Sequence, residues 1–166
     1  KFARLLNSRN GYVLEQLLSP LVVVTTPLHA ALTALAPGLL TSAHAHHYLG
    51  FATSQEKLLD RTHELKPALY LLRVLLTGIH LMRTATLETD LAILGTDLPY
   101  VPELIALKRT AEHVAFPVAL EAKLRSDVTR LRTTLEEARD ASPLPPHPSP
   151  SAVNALHDLI VQTRLT

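Results

Sequence analysis

The chain has 166 residues, 47% apolar and 19% charged, with a formal charge of +1. That length supports one core with an appendage, and the near-neutral balance excludes a general electrostatic attraction to nucleic acid, so any phosphate binding must come from a local cluster. Zero cysteines exclude disulfides, zinc ribbons and thiol catalysis. The uncharged apolar runs fall short of the roughly 20 residues of a membrane span, so a cytoplasmic location without a membrane partner is expected.

Lys1 opens directly into a helical pattern with no initiator Met, as in a chain cut from something longer. Phe2, Leu5, Leu6, Val13, Leu14, Leu17 and Leu18 thread onto two helical pieces separated by a turn over Asn7 to Gly11. After Ser19-Pro20, the run Leu21 to Thr26 (LVVVTT) predicts a β-strand. A lone strand cannot satisfy its own edges and must join a sheet outside this chain or pair with a partner.

From Pro27 the reading is helical. Leu28 to Leu35 forms a short helix closed by Pro37-Gly38, and Ser42 caps a second that runs through HAHHYLGFATSQEKLLDRT. Pro67 fits the first turn of a third. A looser stretch from Ala85 to Tyr100 precedes PELIALKRTAEH, a fourth helix ended by Pro117. Leu120, Leu124, Val128, Leu131, Leu135 and Ala138 then recur every three or four residues and mark an amphipathic helix over Val118 to Ala141. Ser142 to Pro150 (SPLPPHPSP) reads as an extended spacer, after which Ser149 caps a last helix opened by Pro150. The expected fold is mainly α: a bundle-like helical domain preceded by a helix-strand remnant of an α/β domain.

One pattern points beyond structure. In HELKPALYLLRVLLTGIHLMR, Lys66, Tyr70, Arg73, Thr77, His80 and Thr84 fall at spacings of four and three, so they form one narrow polar stripe on an otherwise apolar helix. Lys66 lies at the helix start, where unpaired N–H groups attract phosphate. Arg73, two turns on, offers a planar fork to the same anion or the next. Tyr70 between them offers a ring or a hydroxyl to a base or sugar, and Thr77 and His80 extend the groove. The competing reading is that Lys66 and Arg73 pair with Glu64 and Asp60, or with another helix's acids.

Other clusters are read structurally. His44, His46 and His47 lack the i, i+4 spacing of a one-helix zinc site, so no metal site is expected in this chain. Lys108 and Glu112 form an ordinary helix pair, and the charges of the amphipathic helix are its solvated face. The R-x6-H spacing of Arg73 and His80 suggests a second chemistry, in which His80 is general base to a ribose hydroxyl and Arg73 holds the phosphate.

The blocks KFARLL, NGYVLEQLLSPLVV, HHYLGFATSQ, ELKPALYLLRVLLTGIHLMRT, PYVPELIALKRTAEH and EEARDASPLP together resemble the C-terminal two-thirds of predicted nucleotidyltransferases of the DNA polymerase beta superfamily, the group linked to RNA repair. The resemblance implies that residues 1–26 close a catalytic α/β domain, 27–141 form a helical nucleotide-gripping domain, 142–150 a Pro-rich spacer and 151–166 a C-terminal helix. It further implies Mg²⁺ as cofactor and a nucleoside triphosphate as substrate, with RNA or another acceptor. The Gly-Ser turn and Asp-x-Asp pair of that family are absent here, so the catalytic carboxylates are expected upstream and none in this chain. KPALYLLR matches the family's basic gripping helix and assigns Lys66 and Arg73 to the triphosphate. The family tends to have Gly after RT, where this chain has Ala85. Two other functions remain open: a non-catalytic α-helical interaction module, and an R-x6-H helical ribonuclease.

Overall fold

The computed structural model describes residues 1–165. Among them the chain is helical, with no strand. Helices α1 (Phe2–Asn7) and α2 (Gly11–Leu17) are followed by α3 (Pro27–Leu39), α4 (His44–Thr62) and α5 (Leu65–Thr84). Then come α6 (Leu91–Leu94), α7 (Val101–Lys108), a 3-10 turn at Val118–Leu120, α8 (Glu121–Asp140) and α9 (Pro150–Leu165).

The centre is α5, packed between α4 and α8, with α6 and α7 against it. It buries Leu65, Leu71, Leu72, Val74, Leu75, Ile79, Leu81 and Met82, which is why its sequence is apolar nearly all round. It is also the one described helix long and apolar enough to cross a membrane, and 67% of that window lies inside the fold. Gly78 marks a close crossing: a Cβ there would come within 3.0 Å of Tyr48 Cβ and 3.1 Å of the Leu135 methyls. On α8, Leu124, Val128, Leu131, Leu135 and Ala138 face the core as their spacing predicts. α8 also buries Asp127, which accepts from Tyr100 Oη at 3.0 Å and Arg130 Nη2 at 3.0 Å. A buried charge needs such partners.

The α4–α5 turn is fixed at both sides. His63 takes the left-handed conformation at φ 51 that ends α4 and returns its N–H to Leu59. Leu65 N–H then donates to Val114 at 2.7 Å, and Phe116 N–H to His63 at 2.8 Å, tying the turn to the segment ahead of α8.

Four local expectations differ, the first being the fourth helix, which ends at Lys108 instead of running through His113 to Pro117. Leu21 to Thr26 is not a strand: it is unpaired, with Leu21, Val23 and Val24 87%, 97% and 81% exposed. β-branched side chains favour extended backbone but cannot supply the neighbouring edge a strand requires; Thr26 instead caps α3, accepting from His29 N at 3.1 Å. Helix α3 continues through Pro37 to Leu39, giving up the one backbone bond that the proline cannot donate to Thr33. Ser42 does not cap α4; Ala43 holds that position, and His44 Nδ1 accepts from Thr41 N at 3.2 Å.

The N-terminal helices and the C-terminal one share the core. Leu6, Val13, Leu14 and Leu17 belong to the same buried cluster as Ala152 and Leu156. The Pro-rich stretch bends at residues 143–144 and 146–147 and is tied down: Leu144 is buried, Pro145 accepts from Ser42 N at 3.0 Å, and Ser149 N donates to Gly38 at 2.8 Å. Ser149 caps α9 as expected, accepting from Ala152 N at 3.1 Å.

Candidate functional site

The first turns of α5 meet α2 and α4 in an open groove of about 290 Å³, lined by Tyr12, Phe51, Gln55, Leu58, Glu64, Lys66, Pro67 and Tyr70. Its floor is aromatic. The Tyr12 and Phe51 rings lie 4.7 Å apart at 54°, and His47 meets Tyr12 edge-on at 5.2 Å. Gly11 permits this arrangement, since a Cβ at that position would sit 2.5 Å from the His47 ring.

Both basic residues of the stripe carry a carboxylate from elsewhere in the chain. Arg73 Nη1 donates to Glu15 Oε2 at 2.8 Å, with side chains only 19% and 16% exposed, and its guanidinium lies 5.2 Å from the centre of the Tyr70 ring. Lys66 Nζ donates to Glu112 Oε1 at 3.0 Å, with 50% and 68% exposed. The hydrogen bond to Glu112 raises the Lys66 pKa, and bonds from Lys66 and then Lys108 lower that of Glu112. Glu112 lies beyond the end of α7 and bridges the two lysines, rather than forming a pair within one helix. Burial, with Glu15 nearby, raises the Tyr12 pKa, and burial lowers that of His47 despite Glu15.

The stripe does not continue as one groove wall. Thr77 is fully buried, its Oγ1 without a partner among the described residues, and does not extend the groove. The core closes over α5 at this level, and a threonine is small enough to be enclosed where a longer polar side chain is not. His80 lies fourteen residues from Lys66, roughly 21 Å along the helix, and bonds Thr86 Oγ1 at 3.2 Å through Nε2. Lys66, Tyr70 and Arg73 are thus brought together, and Thr77 and His80 are not with them. Tyr12, Glu15, Phe51 and Gln55 complete the site from α2 and α4. No local motif marks them; Glu15 and Arg73 are 58 residues apart in sequence.

The family model described as RlaP, the RNA repair pathway DNA polymerase beta family, matches residues 1–162. The chain belongs to this family. No curated protein and no solved structure matches the chain. Membership makes it a polymerase-beta-like protein related to the nucleotidyltransferases.

Such chemistry implies Mg²⁺, which carboxylates must hold. Among the described residues no three His, Asp or Glu side chains come together to hold a cation. The acids around the groove are engaged: Glu15 by Arg73, Glu64 by His113 at 3.1 Å, and Glu112 by the two lysines. These residues do not fit a Mg²⁺ centre. What the groove offers is a ring-lined surface for a planar group, with a half-exposed ammonium at its rim.

Proposed function

We propose that this chain is the helical, nucleotide-gripping part of a Mg²⁺-dependent nucleotidyltransferase whose catalytic carboxylates lie outside it, and that the groove between α2, α4 and α5 binds a nucleoside triphosphate. In this reading residues 1–26 belong with the catalytic α/β domain and 27–141 form the gripping domain. The observation that carries it is the convergence of Tyr12, Phe51 and Tyr70 on one groove with Lys66 at its edge, in a chain of this family. Aromatic faces stack on any base, and an ammonium is a point-charge ligand for phosphate.

Arg73 has two tasks here. It orders Tyr70 by standing against its ring, and it fastens α2 to α5 through Glu15. Phosphate binding by Arg73 requires that a ligand phosphate displace or share with Glu15, whereas Lys66 swings on an exposed, screened pair. Isothermal titration with ATP tests the reading: the chain should bind saturably, and Lys66→Ala and Tyr70→Ala should each weaken binding roughly tenfold with the helical CD spectrum unchanged. Unaltered affinity in both folded variants overturns the assignment.

A further inference from the structure

The groove does not stop at Phe51. Along the exposed side of α4 it continues past Tyr12, Gly50, Phe51, Ser54 and Gln55 to His46 and His47. It ends in a polar pocket of about 330 Å³ formed by Ser8, Arg9, Asn10, Ala43, His46 and His47. Neighbouring sections share residues: Tyr12, Phe51 and Gln55 at one junction, His46 and His47 at the other. From Ala43 to Leu58 this trough follows α4 for roughly 22 Å.

The end pocket differs from the Lys66 end in its charge. No carboxylate lines it. Among the described residues neither the Arg9 guanidinium nor the His46 ring has a hydrogen bond or ion pair, and both are exposed. His47 completes the wall, half-buried against Tyr12 and Tyr48. The one carboxylate that His47 feels is Glu15, itself held by Arg73. A guanidinium, two imidazoles and an asparagine amide around a carboxylate-free pocket supply hydrogen-bond donors to an anion with nothing of like sign to repel it, while the Ser8 hydroxyl donates to the Leu5 carbonyl at 2.9 Å.

We propose that the Ser8–Asn10/Ala43–His47 pocket is an anion site for a phosphate group. A phosphate held there has the Tyr12 and Phe51 rings next to it, so the rest of its ligand lies along the trough toward Lys66. The same group is available from a free polyphosphate or from the phosphodiester backbone of a single nucleic-acid strand. This site rests on the placement of Arg9, His46 and His47, independently of the Lys66 assignment.

The test is titration of the ¹⁵N-labelled chain with inorganic pyrophosphate at fixed ionic strength. Saturable amide shifts confined to residues 8–11 and 43–47 are expected. Arg9→Asn combined with His46→Ala should weaken binding at least tenfold, while Arg61→Ala, at an exposed cation in the last turn of α4, leaves it unchanged. Asn tolerates the left-handed conformation at φ 62 that Arg9 occupies, and helical CD verifies the fold of the variant. Scattered, non-saturating shifts, or undiminished affinity in the folded double variant, overturn the site. Hexauridylate separates the sources: stronger binding than pyrophosphate, with Tyr12 and Phe51 shifting too, supports a phosphodiester, and a response to pyrophosphate alone supports a free polyphosphate. Unaltered ATP affinity in Lys66→Ala and Tyr70→Ala with an intact pyrophosphate response overturns the nucleotide groove and leaves this pocket standing. The reverse result removes the pocket alone.

Discussion

The two ends of the trough hold the same kind of side chain in opposite circumstances. At the α5 end, Lys66 meets Glu112 at 3.0 Å, and Arg73, against the Tyr70 ring outside the trough lining, meets Glu15 at 2.8 Å; at the α1–α2 turn, Arg9 meets none among the described residues. Sequence spacing shows which residues share a helix face, but it does not show whether a charge is already neutralised by a side chain far away in the chain. A cation engaged in a mostly buried pair is part of the scaffold first, and its removal exposes the cost of the partner left behind. A solvated, unpartnered cation is available to a ligand at little structural cost.

The sharpest way to break this contrast is to remove Arg73. Arg73→Ala strands Glu15, 16% exposed, and urea denaturation should record a loss of about 3 kcal/mol. Replacing both partners, Arg73→Met with Glu15→Leu, should recover most of it; a loss that persists undiminished would mean the pair is not what the single substitution reports. Next in size is a pH effect beneath the other end. Burial, followed by the positive charges of His47 and Arg9, holds His44 at about 4 despite its bond to the Thr41 carbonyl. Its folded pKa therefore lies below the unfolded value, so its contribution is complete above about pH 6.5 and is lost as pH falls toward 4. The wild-type chain should lose roughly 2 kcal/mol from this group between pH 7.5 and 5, and His44→Asn should flatten that slope. Tyr12→Ala removes the ring shared by both sections of the trough, and ATP affinity should fall roughly tenfold in titration. The smallest effect is Lys66→Ala on stability: with both partners well exposed, the urea midpoint should not move measurably.

Much of the helical scaffold is legible in the order of the amino acids alone. The Leu124 to Ala138 periodicity, the Asn7 to Gly11 break and the Ser149-Pro150 start are local signals, and α2, α8 and α9 lie where they indicate. Leu21 to Thr26 misleads because strand formation is decided by an edge that local sequence does not contain. Pro37 misleads because a proline removes one rung of a helix without having to end it. The proximity of Lys66, Tyr70 and Arg73 on one face of α5 is legible from spacing alone. Thr77 is misread because polarity stands in for exposure, and a hydroxyl satisfies the pattern as well as a charge does. Glu15, Tyr12 and Phe51 escape because nothing but tertiary packing brings α2 and α4 to α5.

The exposed LVVVTT segment has a consequence for how the chain comes apart. From Val22 to Thr25 its backbone amides find no partner among the described residues, so a protease can take up this exposed stretch without unfolding the helices around it. An enzyme that cuts after valine should sever the chain there first. The released α1–α2 piece would nevertheless stay docked, since α1 touches α9, α2 touches α3 and α4, and Glu15 clasps Arg73. One cut would thus convert the protein into a two-fragment complex, able to separate in urea and reassemble on dilution.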